Sequence, residues 1–166
     1  MDFYQVAEIE ISYKHQGDIN IRPKVIKGLD AYNILINQWD ANKLDLLEQS
    51  KIILLNRANR VLGICNLSTG GIAGTVVDPR LVFVTALKAN ASAIILAHNH
   101  PSGNLLPSAA DKQITHRLKD AGKLLEIELL DSLIITSGGY YSIVEEMAYH
   151  KIRRGNSFSL EVQPPF

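Results

Sequence analysis

Two histidines and one aspartate near the middle of the chain have the residue types and spacing of a zinc site. His98 and His100 flank Asn99 at the end of a short apolar run, and Asp111 follows after a loop containing proline and glycine. Side chains two residues apart on an extended segment point to the same side, so both imidazoles can face one point. Three protein ligands leave the fourth position of a tetrahedral zinc for water. Because zinc lowers the pKa of that water to about 7, the pattern predicts hydroxide at neutral pH.

The same segment also fits a structural interpretation. Ser108 and Asp111 form the S-x-x-D pattern of a helix N-terminus, in which the serine caps the helix and the acid interacts with its dipole. Capping and metal binding are compatible, and the pattern alone leaves both open. His116 lies five residues past Asp111 and is turned away from it by helical geometry, so we predict no ligand role. Asn99 and Ser102 are interpreted as loop formers.

A longer string around these residues resembles known families. His98-x-His100, ten intervening residues and Asp111, with Ser108 three positions before the aspartate, is similar to the metal motif of JAMM (Jab/MPN) metallopeptidases. The letters His-Asn-His-Pro-Ser-Gly that open this stretch resemble the C-terminal domain of the bacterial RadC family. The likeness covers residues 48–137, which is more than half of the chain.

The resemblance implies roles beyond the metal ligands. JAMM enzymes use a glutamate on an early strand as the base that takes a proton from water and later delivers it to the leaving group. Glu48 is the matching position, and Ser108 matches the serine that hydrogen-bonds the developing oxyanion. The family thus implies Zn²⁺ as cofactor, a peptide or protein substrate and hydrolysis of an amide or isopeptide bond. RadC relatives usually carry a histidine where this chain has Ser132, so a histidine that could tune the site is missing.

Two other functions stay open. The family's link to DNA repair and the basic residues Lys151, Arg153 and Arg154 favour a nucleic-acid factor in DNA repair or mobile-element biology. The metal site would then be structural or accessory. The short stretch before Glu48 is expected to lack the helix-hairpin-helix region of full-length RadC proteins, so this link is expected to transfer weakly. A metal-bound but inactive scaffold is the third hypothesis.

Composition sets broad limits on these hypotheses. The 166 residues include 17 basic and 17 acidic side chains, so the chain has no net charge. It therefore lacks the overall positive charge that would indicate nucleic-acid binding. The single cysteine, Cys65, excludes an internal disulfide and a cysteine-rich zinc site, and we interpret it as a small hydrophobe in a strand. We see no signal peptide and no apolar run of membrane-spanning length, which predicts a cytoplasmic protein. We expect one domain over residues 1–150 and a poorly ordered tail over 151–166.

The elements that must position the site alternate between strands and helices. The sequence patterns predict strands at 5–13, 51–55, 60–67, 93–97, 124–130 and 132–136, and helices at 30–39, 78–89 and from 108 to about 122. We expect Gly70, Gly71 and Gly74 to form a plain connection. The last helix should turn inward a stripe made of Ile114, Leu118, Ala121 and Leu125. This alternation predicts a three-layer α/β/α sandwich with a mixed sheet, in agreement with the cytidine-deaminase-like fold that the JAMM resemblance implies.

Overall fold

The computed structural model describes residues 17–71 and 76–146. In chain order they form a 3-10 turn (Ile19–Ile21), α1 (Gly28–Gln38), α2 (Ala41–Leu44), β1 (Gln49–Leu55), β2 (Val61–Thr69), α3 (Pro79–Lys88), β3 (Ala93–Asn99), α4 (Ala109–Leu125), β4 (Glu128–Thr136) and β5 (Gly139–Ser142). The predicted strand at 5–13, the predicted tail at 151–166 and Gly74 lie outside the described residues.

The five strands form one mixed sheet in the order β2-β1-β3-β4-β5. β1 pairs antiparallel with both β2 and β3, and β4 pairs antiparallel with β5. β3 and β4 are parallel, and α4 connects them. β3 is therefore the central strand, and all its residues are buried, which explains why residues 93–97 are evenly apolar.

Two apolar cores cover the two faces of the sheet, which confirms the predicted three-layer sandwich. On one face, α1 contributes Leu35 and the nearby Trp39 to a core shared with Ile95. On the other face, α3 and α4 contribute Phe83 and Leu118. Side chains on β3 alternate between these cores, because successive residues of a strand point to opposite faces. We call the two sides the α1 side and the α4 side.

Local sequence signals explain two of the predicted elements. The β1–β2 hairpin forms as expected around the turn at 56–60. α3 begins where the sequence indicated, since the Asp78 carboxylate accepts a hydrogen bond from the Arg80 backbone N–H at 2.8 Å and Pro79 is the first helical residue. Proline is suited to that position because its missing N–H would lack a helical partner there.

The prediction of two strands broken around Asp131 is wrong. β4 is one continuous strand with a β-bulge, in which Leu129 pairs with Ile94, Asp131 pairs with Ile95, and Leu130 is skipped. A bulge places two residues opposite one and changes which face the later side chains point to. The resulting break in the alternation resembles a strand end in the sequence.

The end of α4 also differs from the prediction. The helix continues past Gly122 to Leu125 and ends at Glu126 in a left-handed conformation. Leu125 is 40% exposed, so its assignment to the inner stripe is wrong. A Cβ on Gly122 would lie 2.3 Å from the Ile127 carbonyl oxygen, so this glycine permits a close approach of the returning chain and does not end the helix.

Candidate metal centre

The end of β3 and the first turn of α4 bring three potential metal ligands together. His98 Nε2 lies 3.0 Å from His100 Nε2 and 3.2 Å from Asp111 Oδ1. His100 Nε2 is 3.9 Å from Asp111 Oδ2. The predicted ligand set therefore converges on one point, and we call these three residues the triad.

The spacing of the triad fits a tetrahedral ion. Ligand atoms about 2.0–2.1 Å from a tetrahedral zinc are about 3.3 Å apart, which lies within the range of the three distances above. The donor set of two imidazole nitrogens and one carboxylate oxygen is also one that zinc accepts in catalytic sites. These residues could therefore hold a divalent zinc and leave one position for another ligand.

A backbone contact orients one of the imidazoles. His100 Nδ1 lies 2.6 Å from the Asn104 carbonyl oxygen, which can only accept a hydrogen bond. The Nδ1 atom must therefore carry the proton, and the Nε2 lone pair is left to face the triad. The loop between β3 and α4 thus favours the tautomer whose Nε2 could bind a metal.

The start of α4 fixes the carboxylate of the triad. Ser108 is the N-cap, and its Oγ accepts a hydrogen bond from the Asp111 backbone N–H at 3.2 Å. Asp111 Oδ2 accepts bonds from the Ser108 N–H and from the Ser108 hydroxyl, both at 2.7 Å. The same arrangement is therefore compatible with both capping and metal binding, because the bonds of the cap orient the carboxylate toward the histidines.

The charge state of Asp111 suits a ligand. Burial raises the pKa of this carboxyl, but hydrogen bonds from His98 and Ser108 lower it by more, and the pKa lies below its ordinary value. The group therefore stays ionised far below neutral pH. An ionised carboxylate is the form that coordinates a metal.

Glu48 lies at two cavities that each contact the triad. One has a volume of about 420 Å³ and is lined by Glu48, His100 and Ser108, among others. The second has a volume of about 220 Å³ and is lined by Glu48, His98 and Asp111, among others. All five predicted site residues therefore border these two cavities at one end of the sheet. Two larger clefts, of about 560 and 570 Å³, lie at the opposite end, and none of these five residues lines them.

The role of Asn99 was missed at the level of sequence, where it was interpreted as a loop former. This side chain is fully buried and hydrogen-bonds the segment just before β1. The available signal was its position in an otherwise buried strand, since a buried amide needs partners. The partners themselves lie about fifty positions earlier in the chain and could not be identified from the sequence.

The other residues considered in the sequence analysis are not part of the triad. His116 is exposed on α4 and does not join the triad, as predicted. Ser102 lies in the loop that lines the larger of the two site cavities. Cys65 is a half-buried residue of β2 that packs against the α4-side core, which agrees with its interpretation as a small hydrophobe. Ser132 is buried and pairs with Leu96 in the sheet.

Comparison with known proteins gives a family and several relatives. The RadC-like JAB domain family matches residues 27–149. A UPF0758 protein of Flavobacterium johnsoniae is 45% identical over 142 residues, which cover 85% of this chain and 61% of the relative. A UPF0758 protein of Alkaliphilus metalliredigens is 52% identical over 70% of this chain and 49% of its own length. A UPF0758 protein of Clostridium kluyveri is 48% identical over 81% of this chain and 56% of its own.

The chain thus spans about half to three fifths of the curated relatives that it matches. Among the described residues, no helix combines the length and the apolar character that crossing a bilayer requires. The cytoplasmic location stays a prediction.

Proposed function

The chain belongs to the RadC-like JAB domain family, and from this premise we propose that it is a zinc-dependent hydrolase of amide or isopeptide bonds. The observation that carries the proposal is the convergence of two imidazole nitrogens and one carboxylate oxygen on a single point beside two open cavities. A structural zinc site is closed by four protein ligands, whereas three protein ligands are typical of a catalytic site.

His98, His100 and Asp111 would hold the ion, which supplies Lewis acidity and lowers the pKa of water to about 7. Glu48 is the general base in this proposal. Its position at both site cavities supports the role, because a base must reach the attacking water and then the leaving nitrogen. Glu48 would take one proton from water and return it to the amine as the bond breaks.

The Ser108 hydroxyl would donate a hydrogen bond to the oxyanion that develops on the substrate carbonyl. This proton is directed to Asp111 Oδ2 in the free protein. The hydroxyl can turn away without leaving that oxygen unsatisfied, because the Ser108 backbone N–H also donates to it. A donor of this kind contributes roughly 2.7–4 kcal/mol to the transition state.

The substrate that we propose is a peptide or a protein with an accessible amide or isopeptide bond. The larger site cavity is lined in part by the exposed apolar side chain of Leu106. A peptide segment lying across the triad could pack against this side chain. The nucleic-acid hypothesis rests on basic residues outside the described part of the chain, and it stays a prediction.

The test replaces Glu48 with glutamine. A peptide library screened with the zinc-loaded protein first identifies a cleaved substrate. We then expect Glu48→Gln to bind zinc as the unmodified protein does and to lose about 10²–10⁴-fold in kcat, the usual contribution of a general base. Glu128→Gln, at the exposed start of β4, is the matched control and should keep full turnover.

Two outcomes would contradict the proposal. Full turnover by Glu48→Gln would show that another group is the base. A zinc-loaded protein that cleaves no amide or isopeptide member of the library would favour the inactive scaffold.

A further inference from the structure

We propose that Asn99 is a positioning residue, which holds Glu48 in a fixed place relative to the metal ligands. The inference rests on the proposed role of Glu48 as the base. It is drawn from contacts on the α1 side of the sheet, the face opposite to the triad.

The Asn99 side chain is completely buried and uses all of its hydrogen-bonding groups. Its Nδ2 donates to the Leu44 carbonyl at 2.5 Å and to the Leu47 carbonyl at 2.8 Å. Its Oδ1 accepts from the Gln49 backbone N–H at 2.7 Å. A primary amide has two N–H donors and one acceptor oxygen, so each is satisfied here.

These contacts bracket Glu48. The Leu47 carbonyl precedes the glutamate and the Gln49 N–H follows it, so Asn99 holds both flanking peptide groups. The N–H and carbonyl of Glu48 itself bond to Gly71 and Gly70 at 3.3 and 2.8 Å. The backbone around the glutamate is therefore fixed from two directions.

The sheet ladder alone does not supply this restraint. Pairing of β1 with β3 ends at Ser50 opposite His98. One position further, the Asn99 side chain supplies the bonds that the ladder no longer provides. Because neighbouring strand residues point to opposite faces, His98 reaches the triad while Asn99 reaches the Glu48 segment. Asn99 also lies between the two histidines in sequence, so its bonds join the Glu48 segment to the strand end that carries both imidazoles.

Only an amide of this length fits the contact pattern. Aspartate keeps the acceptor but loses both donors and places its charge against two carbonyl oxygens. Serine is too short to reach all three groups. Asn99→Asp is therefore the sharpest test, and Asn99→Ser, which is smaller and uncharged, is the second variant should the first fail to fold.

In zinc-loaded Asn99→Asp we expect kcat to fall by about 10–100-fold, since a misplacement of about 1 Å can cost 10²-fold. KM and zinc affinity should stay within about twofold of the unmodified protein. In a Glu48→Gln background the same substitution should cause no further loss, because residues that act through one another are not additive. Ile95→Val, on the same strand, controls for a general loss of stability.

A second measurement is independent of turnover. Amide hydrogen exchange of the Gln49 N–H should become faster in Asn99→Asp and Asn99→Ser, and stay unchanged in Ile95→Val. Unchanged exchange at Gln49 in both Asn99 variants, or unchanged kcat in a folded variant whose Glu48→Gln counterpart is inactive, would overturn the inference. Suppose that Glu48→Gln is fully active while exchange of the Gln49 N–H becomes faster in the Asn99 variants. The contact between Asn99 and Gln49 then exists, and the assignment of Glu48 as the base is wrong.

Discussion

Two aspartates of this protein are held by serines in nearly the same way, yet their environments shift their pKa values in opposite directions. Asp111 accepts from the hydroxyl of Ser108, a helix N-cap. Asp131 accepts from the hydroxyl of Ser142 at 2.8 Å. Ser142 directly precedes helical residues 143–146, and its Oγ caps them by accepting from the Glu145 N–H at 3.1 Å. Both serines thus bond the backbone N–H three residues later and donate to a carboxylate.

The difference lies in what else faces each carboxylate. Burial raises the pKa of Asp111, but bonds from His98 and Ser108 outweigh it and the pKa is lowered. Burial raises the pKa of Asp131 and outweighs the bonds from Ser142 and Ser132. A capping serine therefore does not by itself prepare a carboxylate for a metal. The convergent imidazoles distinguish the two regions.

The largest expected effect tests this distinction directly. Asp111→Asn should lower zinc affinity by at least about 100-fold, since loss of an outer partner of a ligand alone costs 10–100-fold. Competition titration against a chromophoric chelator measures this affinity. Asp131→Asn is the matched control and should bind zinc normally. Equal losses in both variants would mean that the two carboxylates are not distinguished by the histidines.

A second prediction concerns the pH dependence of stability. The pKa of Asp131 in the folded protein lies above its ordinary value of 3.8. The folded state then binds more protons than the unfolded state, so the contribution of Asp131 to the free energy of unfolding falls as pH rises from about 4 through the folded pKa.

Denaturant unfolding across this pH range, compared between the unmodified protein and Asp131→Asn, isolates that contribution. We expect the variant to gain stability relative to the unmodified protein as pH rises. A constant difference across the range would show that the pKa of this carboxyl is the same in the folded and unfolded states.

The smallest effect compares the two serines. Ser108→Ala and Ser142→Ala should each lower the free energy of unfolding by about 1 kcal/mol, the usual cost of losing an N-cap. Only Ser108→Ala should also weaken zinc binding, by up to about tenfold, because the Ser108 backbone N–H still orients Asp111. Calorimetric unfolding and zinc titration of both variants separate the two effects. Weaker zinc binding in Ser142→Ala would contradict the comparison.

The parts of the fold that the sequence predicted are those set by local patterns. Asp78 and Pro79 mark the start of a helix by their own chemistry, and the even apolar run at 93–97 favours an interior strand. The triad was predictable because its three residues lie close together in sequence. His98 and His100 have strand spacing, and Asp111 belongs to a helix-capping pattern that begins eight residues after His100.

The parts that were missed depend on contacts distant in sequence. The buried bonds of Asn99 join it to residues about fifty positions earlier, and no local pattern indicates them. The sequence patterns predict no strand at Gly139–Ser142, and this short segment is a strand because it pairs with the edge of β4. Glu48 was found through family resemblance alone, since an acid at the start of a strand is otherwise ordinary.

The bulge at Leu130 has a consequence for how this chain tolerates changes in length. Asp131 faces the α1 side and pairs with Ile95 only because one extra residue is accommodated there. Loss of the Leu130 codon would leave Leu129 opposite Ile94 and Asp131 opposite Ile95, so the pairing would become regular and the later side chains would keep their present faces. Deletion of one residue at the bulge should therefore be less damaging than deletion of Leu133, in the regular part of the strand, which would exchange the α1-side and α4-side sets of side chains beyond it. The exposed turn at 57–58 accepts either a substitution or a deletion.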